Sequence, residues 1–149
     1  GRLWFGTMLG GVNVFDGHTF TYIGEREGLS NNEVRSIIED RERRIWIGTR
    51  KGLNCLVIHP DTASTELSHQ TPFIYTFGKL DGLNGIDFNI QLALADSQNR
   101  LWWFTDECLT MLPMDHFKLP ADPPVSMHLR HIEINGEYLD FMHLPDSLA

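Results

Sequence analysis

The chain has 149 residues, enough for a domain with a core, and 42% hydrophobic with 21% charged side chains is the composition of a folded globular protein. A net charge of −8 works against a nucleic-acid surface, which needs a basic face, and no run approaches the roughly 18 apolar residues of a membrane span. Two cysteines, Cys55 and Cys108, are too few for a disulfide framework and predict buried free thiols.

From the start of the chain, Leu3-Trp4-Phe5-Gly6-Thr7 is the first of three copies of one pentapeptide. It returns as Ile45-Trp46-Ile47-Gly48-Thr49 and as Leu101-Trp102-Trp103-Phe104-Thr105. Spacings of this size are those of propeller blades, whose repeats run about 40 to 50 residues. Each copy alternates with large residues on both faces, the pattern of a strand covered on both sides. Trp4, Trp46 and Trp102 are therefore predicted to pack between stacked blades.

Residues 3–6, 11–15 and 19–23 read as three strands of a first, partial blade, with Asp16-Gly17 as a hairpin turn. Residues 24–32 cross to a second blade whose inner strand is 34–39. An amphipathic helix capped at Asn31-Asn32-Glu33 competes for that stretch, and the repeat decides for a strand. Strands at 45–48, 53–58 and 73–77 follow, with a polar loop over 59–72. The basic cluster at 41–44 reads as a solvated turn. Residues 90–95, 101–105 and 109–113 supply a third blade.

At Leu119-Pro120-Ala121-Asp122-Pro123-Pro124 the composition turns to a stiff connector that cannot pair fully in a sheet. Beyond it Val125, Met127 and Leu129 share one parity and Ile132 and Ile134 the other, predicting a bulge near Arg130-His131. Asn135-Gly136 then turns the chain into 137–141. The predicted fold is all-β, about two and a half to three blades of four-stranded antiparallel sheet followed by the first strands of an immunoglobulin-like β-sandwich. The units are 1–118, with repeats near 3–44, 45–100 and 101–118, and 119–149.

Chemistry is sparse. His128 and His131, three apart on a strand, face opposite sides, and His59 and His69 fall in the polar loop, so no metal site is read. Asp40, Asp61, Asp81 and Asp96 stand beside turn residues, where carboxylates bond local backbone. No nucleophile elbow or phosphate loop is present. Propeller ligands meet loops at one end of the central channel. Here those loops carry Asn31, Asn32, Arg50, Lys51, Asn84, Asp87, Phe88 and Asn89, and amides, cations and an aromatic suit an anionic or neutral sugar. No cofactor is expected.

The Trp-hydrophobic-Gly-Thr pentapeptide, the Gly52-Leu53 that follows it and the acidic turns at Glu39-Asp40 and Asp96 resemble the two-component regulator propeller repeats of periplasmic sensors in bacterial hybrid histidine kinases. Pro123-Pro124-Val125 through Ile134-Asn135-Gly136 is similar to the opening of the Y_Y_Y domain that follows such propellers. The resemblance implies a non-enzymatic, periplasmic part of a larger sensor that detects oligosaccharides and relays the signal to a kinase across the membrane. Phe104 and Cys108 depart from the pattern, standing where Gly6 with Gly48 and Gly11 with Gly52 occur. Residues 101–107 are also similar to streptogramin-lyase-type propellers, which are magnesium-dependent enzymes and would need His116 as acid-base group. A protein-docking scaffold is a third reading. The open sheet edges predict self-association of the chain on its own.

Overall fold

The computed structural model describes residues 1–58 and 72–120, and the backbone of two short strands at 132–134 and 137–139. Strands form where the repeat places them. A first sheet takes β1 (Leu3–Gly6), β2 (Val12–Phe15) and β3 (Phe20–Ile23) in order. A second takes β4 (Val34–Glu39), β5 (Ile45–Thr49), β6 (Gly52–Val57) and β7 (Phe73–Phe77). A third takes β8 (Phe88–Ala95), β9 (Arg100–Thr105) and β10 (Leu109–Pro113). All neighbours are antiparallel, so each sheet is a meander, and no helix forms over 34–39. Three stacked sheets of this kind are blades of a β-propeller. The strands before the second and third pentapeptides, β4 and β8, join the same sheets as those pentapeptides, so the sheets are offset from the sequence repeats.

Turn chemistry fixes each hairpin. Asp16 Oδ1 accepts the His18 and Thr19 amides at 2.7 and 2.8 Å, and those backbone bonds, Thr19's first, hold its carboxyl below the usual range. The threonine of every pentapeptide closes the following turn: Thr7, Thr49 and Thr105 Oγ1 donate to the carbonyls of Gly11, Gly52 and Cys108 at 3.0, 3.0 and 3.1 Å. The crossovers into the second and third sheets are matching 3₁₀ turns, at Glu25–Glu27 and Lys79–Asp81. In each, a carboxylate at the third position accepts the entering glycine's amide, Glu27 from Gly24 at 2.7 Å and Asp81 from Gly78 at 2.8 Å. Both turns end on a left-handed glycine, Gly28 at φ 113° and Gly82 at φ 97°.

Between the sheets lie two cores. Val12, Val14, Ile23, Val34, Ile45, Ile47 and Leu56 fill the space between the first and second sheets, with Trp4 against them. Trp46, Leu53, Cys55, Tyr75, Phe88, Leu101 and Trp103 fill the space between the second and third. The second sheet is thus covered on both faces, and all five residues of β5 are buried. Trp46 is fully enclosed, its ring 5.9 Å from that of Trp103. Gly48 is required there: a Cβ on it would come within 2.6 Å of Ser36 Oγ and 3.1 Å of Phe88.

Parity separates the third pentapeptide from the expectation. Trp103 occupies the register position of Ile47 and faces the second sheet, fully buried. Trp102, at the position of Trp46, is only half-buried. It lies on the sheet's other face with the exposed Leu94, Phe104, Leu109 and Met111, and the Arg100 guanidinium stacks over its ring at 5.1 Å. Phe104 needs no glycine's clearance on that face. The first sheet likewise exposes Leu3, Phe5, Phe20 and Tyr22 on its far side. Cys55 is buried and free, and Cys108 is half-buried and free.

Of the second predicted unit, β11 (Ile132–Ile134) pairs with β12 (Glu137–Leu139), Ile134 opposite Glu137, at the predicted hairpin. The polar loop at 59–71, the connector from 121, the bulge at 130–131 and the turn at 135–136 lie outside the described residues.

Candidate functional site

The loops singled out for ligand binding share one end of the three sheets and are tied together by main-chain bonds. Arg50 N donates to Glu33 O at 3.1 Å, Gly52 N to Ile86 O at 2.9 Å and Asp106 N to Asp87 O at 3.2 Å. Arg50 projects from this end with its side chain 58% exposed, between two carboxylates: Nη1 is 3.4 Å from Glu33 Oε2 and Nε is 3.8 Å from Asp87 Oδ2. Exposed pairs this long contribute little, about 0 to 1 kcal/mol, so the guanidinium can re-aim toward a hydroxyl or carboxylate. Lys51 and Asn84 are exposed beside it, and Asn89 is half-buried.

Other expected contacts are spent on the loops themselves. Asn31 Nδ2 donates to Glu25 Oε1 at 2.8 Å and its Oδ1 accepts the Glu33 amide at 3.1 Å. Asn32 Oδ1 accepts the Glu25 amide at 2.9 Å, and the Asn32 carbonyl accepts the Gly11 amide. Phe88 differs outright from the expectation of a stacking platform. It is 1% exposed and lies edge-on to Trp103, 6.4 Å between ring centres, because the inner strand begins there and turns that side chain into the core. His116 sits exposed on a 3₁₀ turn after β10, at the opposite end of the sheet from Arg50.

Two charged residues were not foreseen. Glu33, its side chain 14% exposed, bridges Arg35 and Arg50 and is the hub of the loop end. Arg35 Nη2 meets Glu33 Oε1, while its buried Nε has no partner among the described residues. The alternation Glu33-Val34-Arg35 was the available signal, since residues two apart on a strand share a face.

The opposite end carries a second arrangement, repeated in two blades. Asp40 Oδ1 accepts the amides of Glu42 and Arg44, both at 2.9 Å, and Oδ2 accepts Arg44 Nε at 2.6 Å and Trp46 Nε1 at 2.8 Å. Asp96 repeats every bond: Oδ1 with the Gln98 and Arg100 amides at 3.0 Å, Oδ2 with Arg100 Nε at 2.6 Å and Trp102 Nε1 at 2.9 Å. Burial pushes the Asp96 carboxyl up. The bonds from Trp102 and Arg100, with the Arg100 charge, outweigh it and hold the group down at about 2. The sequence signal is an Asp four residues before an Arg that is two before the pentapeptide Trp.

The Asp40 turn lies inside the stretch that matches a known family, described as "Two component regulator propeller", over residues 28–51. Residues 28–51 are similar to a two-component regulator propeller repeat. The matching stretch contains the left-handed Gly28, β4, the Asp40 turn, β5 and Arg50. The chain is 48% identical over 62 residues to histidine kinase P4 of Formosa agariphila, a match covering 38% of this chain and 4% of that protein. Its fold is similar to a crystal structure of an extracellular domain assigned to a hybrid two component system, BT3049 of B. thetaiotaomicron. The TM-score is 0.56 and the identity 27%, over 78% of this chain and 15% of that one. The chain thus spans a small part of the length of either relative.

Proposed function

We propose that this chain is part of the extracytoplasmic, periplasmic ligand-sensing region of a hybrid two-component sensor histidine kinase. In this reading it has no catalytic role of its own, detects oligosaccharide fragments and passes a movement toward a kinase across the membrane. The propeller repeat over 28–51 within a stack of blades carries the reading, and the likeness to the extracellular BT3049 domain supports it. Residues 119–149 are then the start of a separate β-sandwich that relays the movement.

Arg50 is the anchor of the ligand site, with Lys51, Asn84, Asp87 and Asn89 around it. Titrating a panel of neutral and acidic oligosaccharides into the parent ectodomain tests the assignment. Arg50→Ala and Asn89→Ala should each weaken the best ligand about tenfold, the scale of one lost charge-assisted or amide hydrogen bond. Unchanged affinity in both removes these residues from the site.

The apolar faces of the first and third sheets support self-association when the chain is studied alone. Light scattering should report species larger than one chain, and a clean monomer counts against it.

A further inference from the structure

β4 and β8 are the first strands of their meanders, each at the edge of its sheet, and they lie against each other, so together they form part of the wall of the central channel. They are not built alike. Between Val34, opposite Thr49, and Ile37, opposite Ile47, β4 has two residues, Arg35 and Ser36, against the single Gly48. Between Phe88, opposite Thr105, and Ala93, opposite Trp103, β8 has four, Asn89 to Leu92, against the single Phe104. The additional residues make a broad bulge at the end of β8 that adjoins Asp87 and, through it, Arg50. Bulges re-aim side chains.

Within this bulge Gln91 has φ 59°, the left-handed region that few residues with a side chain adopt and that glycine enters freely. Its side chain is exposed, and its carboxamide has no hydrogen-bond partner among the described residues. It lines one hollow with Arg35, whose guanidinium meets Glu33, the same carboxylate that Arg50 approaches. Ile90 and Leu92, on either side of Gln91 in sequence, are exposed as well.

We propose that Gln91 is a specificity-determining residue, whose carboxamide reads two adjacent hydroxyls of a sugar ring in an oligosaccharide entering the channel from the Arg50 end. Its carbonyl oxygen accepts from one hydroxyl and its nitrogen donates to the other, while Ile90 and Leu92 meet the C–H face of the ring. An epimer with one of those hydroxyls turned away leaves a polar group without its partner, and the site rejects it. Glycine would relieve the backbone but leave the hydroxyls unread. The inference deepens the sensing role proposed above and rests on it.

The probes are linear tetrasaccharides of glucose, mannose, galactose, xylose and galacturonic acid, titrated by calorimetry into the parent ectodomain. The readouts are the affinity of the best-bound sugar and its ratio to the affinities of that sugar's epimers. Gln91→Gly should keep or raise the melting temperature yet lower the ratio about tenfold, the scale of one lost hydrogen bond. Gln91→Glu has the same shape without the amide donor, and should weaken the best-bound sugar about tenfold at an unchanged melting temperature. A residue that only shapes the bulge would leave affinity and ratio unchanged in both variants. That outcome, with at least one probe bound by the wild type, overturns the role of Gln91 and leaves the sensing role standing. Failure of every probe to bind the wild type overturns both.

Discussion

Trp46 donates its indole hydrogen to Asp40 Oδ2 over 2.8 Å, so the most buried aromatic of the second blade is moored to the turn that precedes its own strand. A large ring gains from leaving water but carries one polar hydrogen that must be satisfied when buried. The carboxylate satisfies it and at the same time neutralises Arg44, itself 7% exposed.

Removing Asp40 therefore leaves an indole donor unsatisfied and the buried Arg44 held only by the exposed Glu42, whose Oε2 lies 2.9 Å from Arg44 Nη1. Asp40→Ala should cost about 3 to 5 kcal/mol, the scale for breaking a buried ion pair by deleting one partner. Asp96→Ala should cost less, because its carboxylate is 17% exposed against 1% for Asp40 and water can replace part of what is lost. Urea melts of the two variants side by side read the ordering, and equal losses would sink it.

The low value held by Asp96 makes stability depend on pH in a set direction. Its folded value of about 2 lies below the ordinary 3.8, so the stabilisation is complete above the ordinary value and fades as pH falls through the folded one. Asp96→Asn lacks this titration. The gap in melting temperature between wild type and variant should be full near about pH 5 and shrink toward about pH 2.

Trp46→Ala should cost about 3 to 5 kcal/mol through the cavity it leaves between two sheets. Trp102→Ala, on the half-covered face, should cost clearly less despite its identical place in the repeat. Thermal melts of both variants check the contrast.

Burial pushes the Cys55 thiol up to about 12, so almost none of it is thiolate at neutral pH. A thiol reagent such as dithiobis(nitrobenzoate) should label the half-buried Cys108 in the native chain and Cys55 only after denaturant is added. Rapid labelling of both thiols in the native protein would contradict the buried position.

Much of the frame was legible from residues alone. Ten strands of the three sheets fall where three copies of one pentapeptide and their flanking alternation put them, because a period of two with apolar residues on both faces has few other solutions. What escaped depended on register and distance. Which of Trp102 and Trp103 is enclosed is a matter of parity against the neighbouring sheet, and the repeat alignment pointed to the wrong one. Phe88 looked like a loop aromatic because β8 begins two residues earlier than its alternation suggests. Asp40 and Asp96 were read as carboxylates bonding local backbone, which Oδ1 does. The second oxygen reaches a side chain six residues on, and only the repeated Asp, Arg and Trp spacing could have signalled it. At the loop end Arg50 stands exposed as the ligand reading requires, whereas Asn31 and Asn32 hold the loop's own shape.

Each turn's aspartate closes its own bonds within a single sheet, whereas the links Gly11 N to Asn32 O and Gly52 N to Ile86 O, which join one sheet to the next, are made by main chain alone. Main-chain bonds are indifferent to side-chain identity. A stretch running from one such glycine to the next can therefore be duplicated or lost by unequal recombination with each turn's aspartate keeping its own arginine and indole, so blade number can drift while that bonding stays whole in every surviving copy.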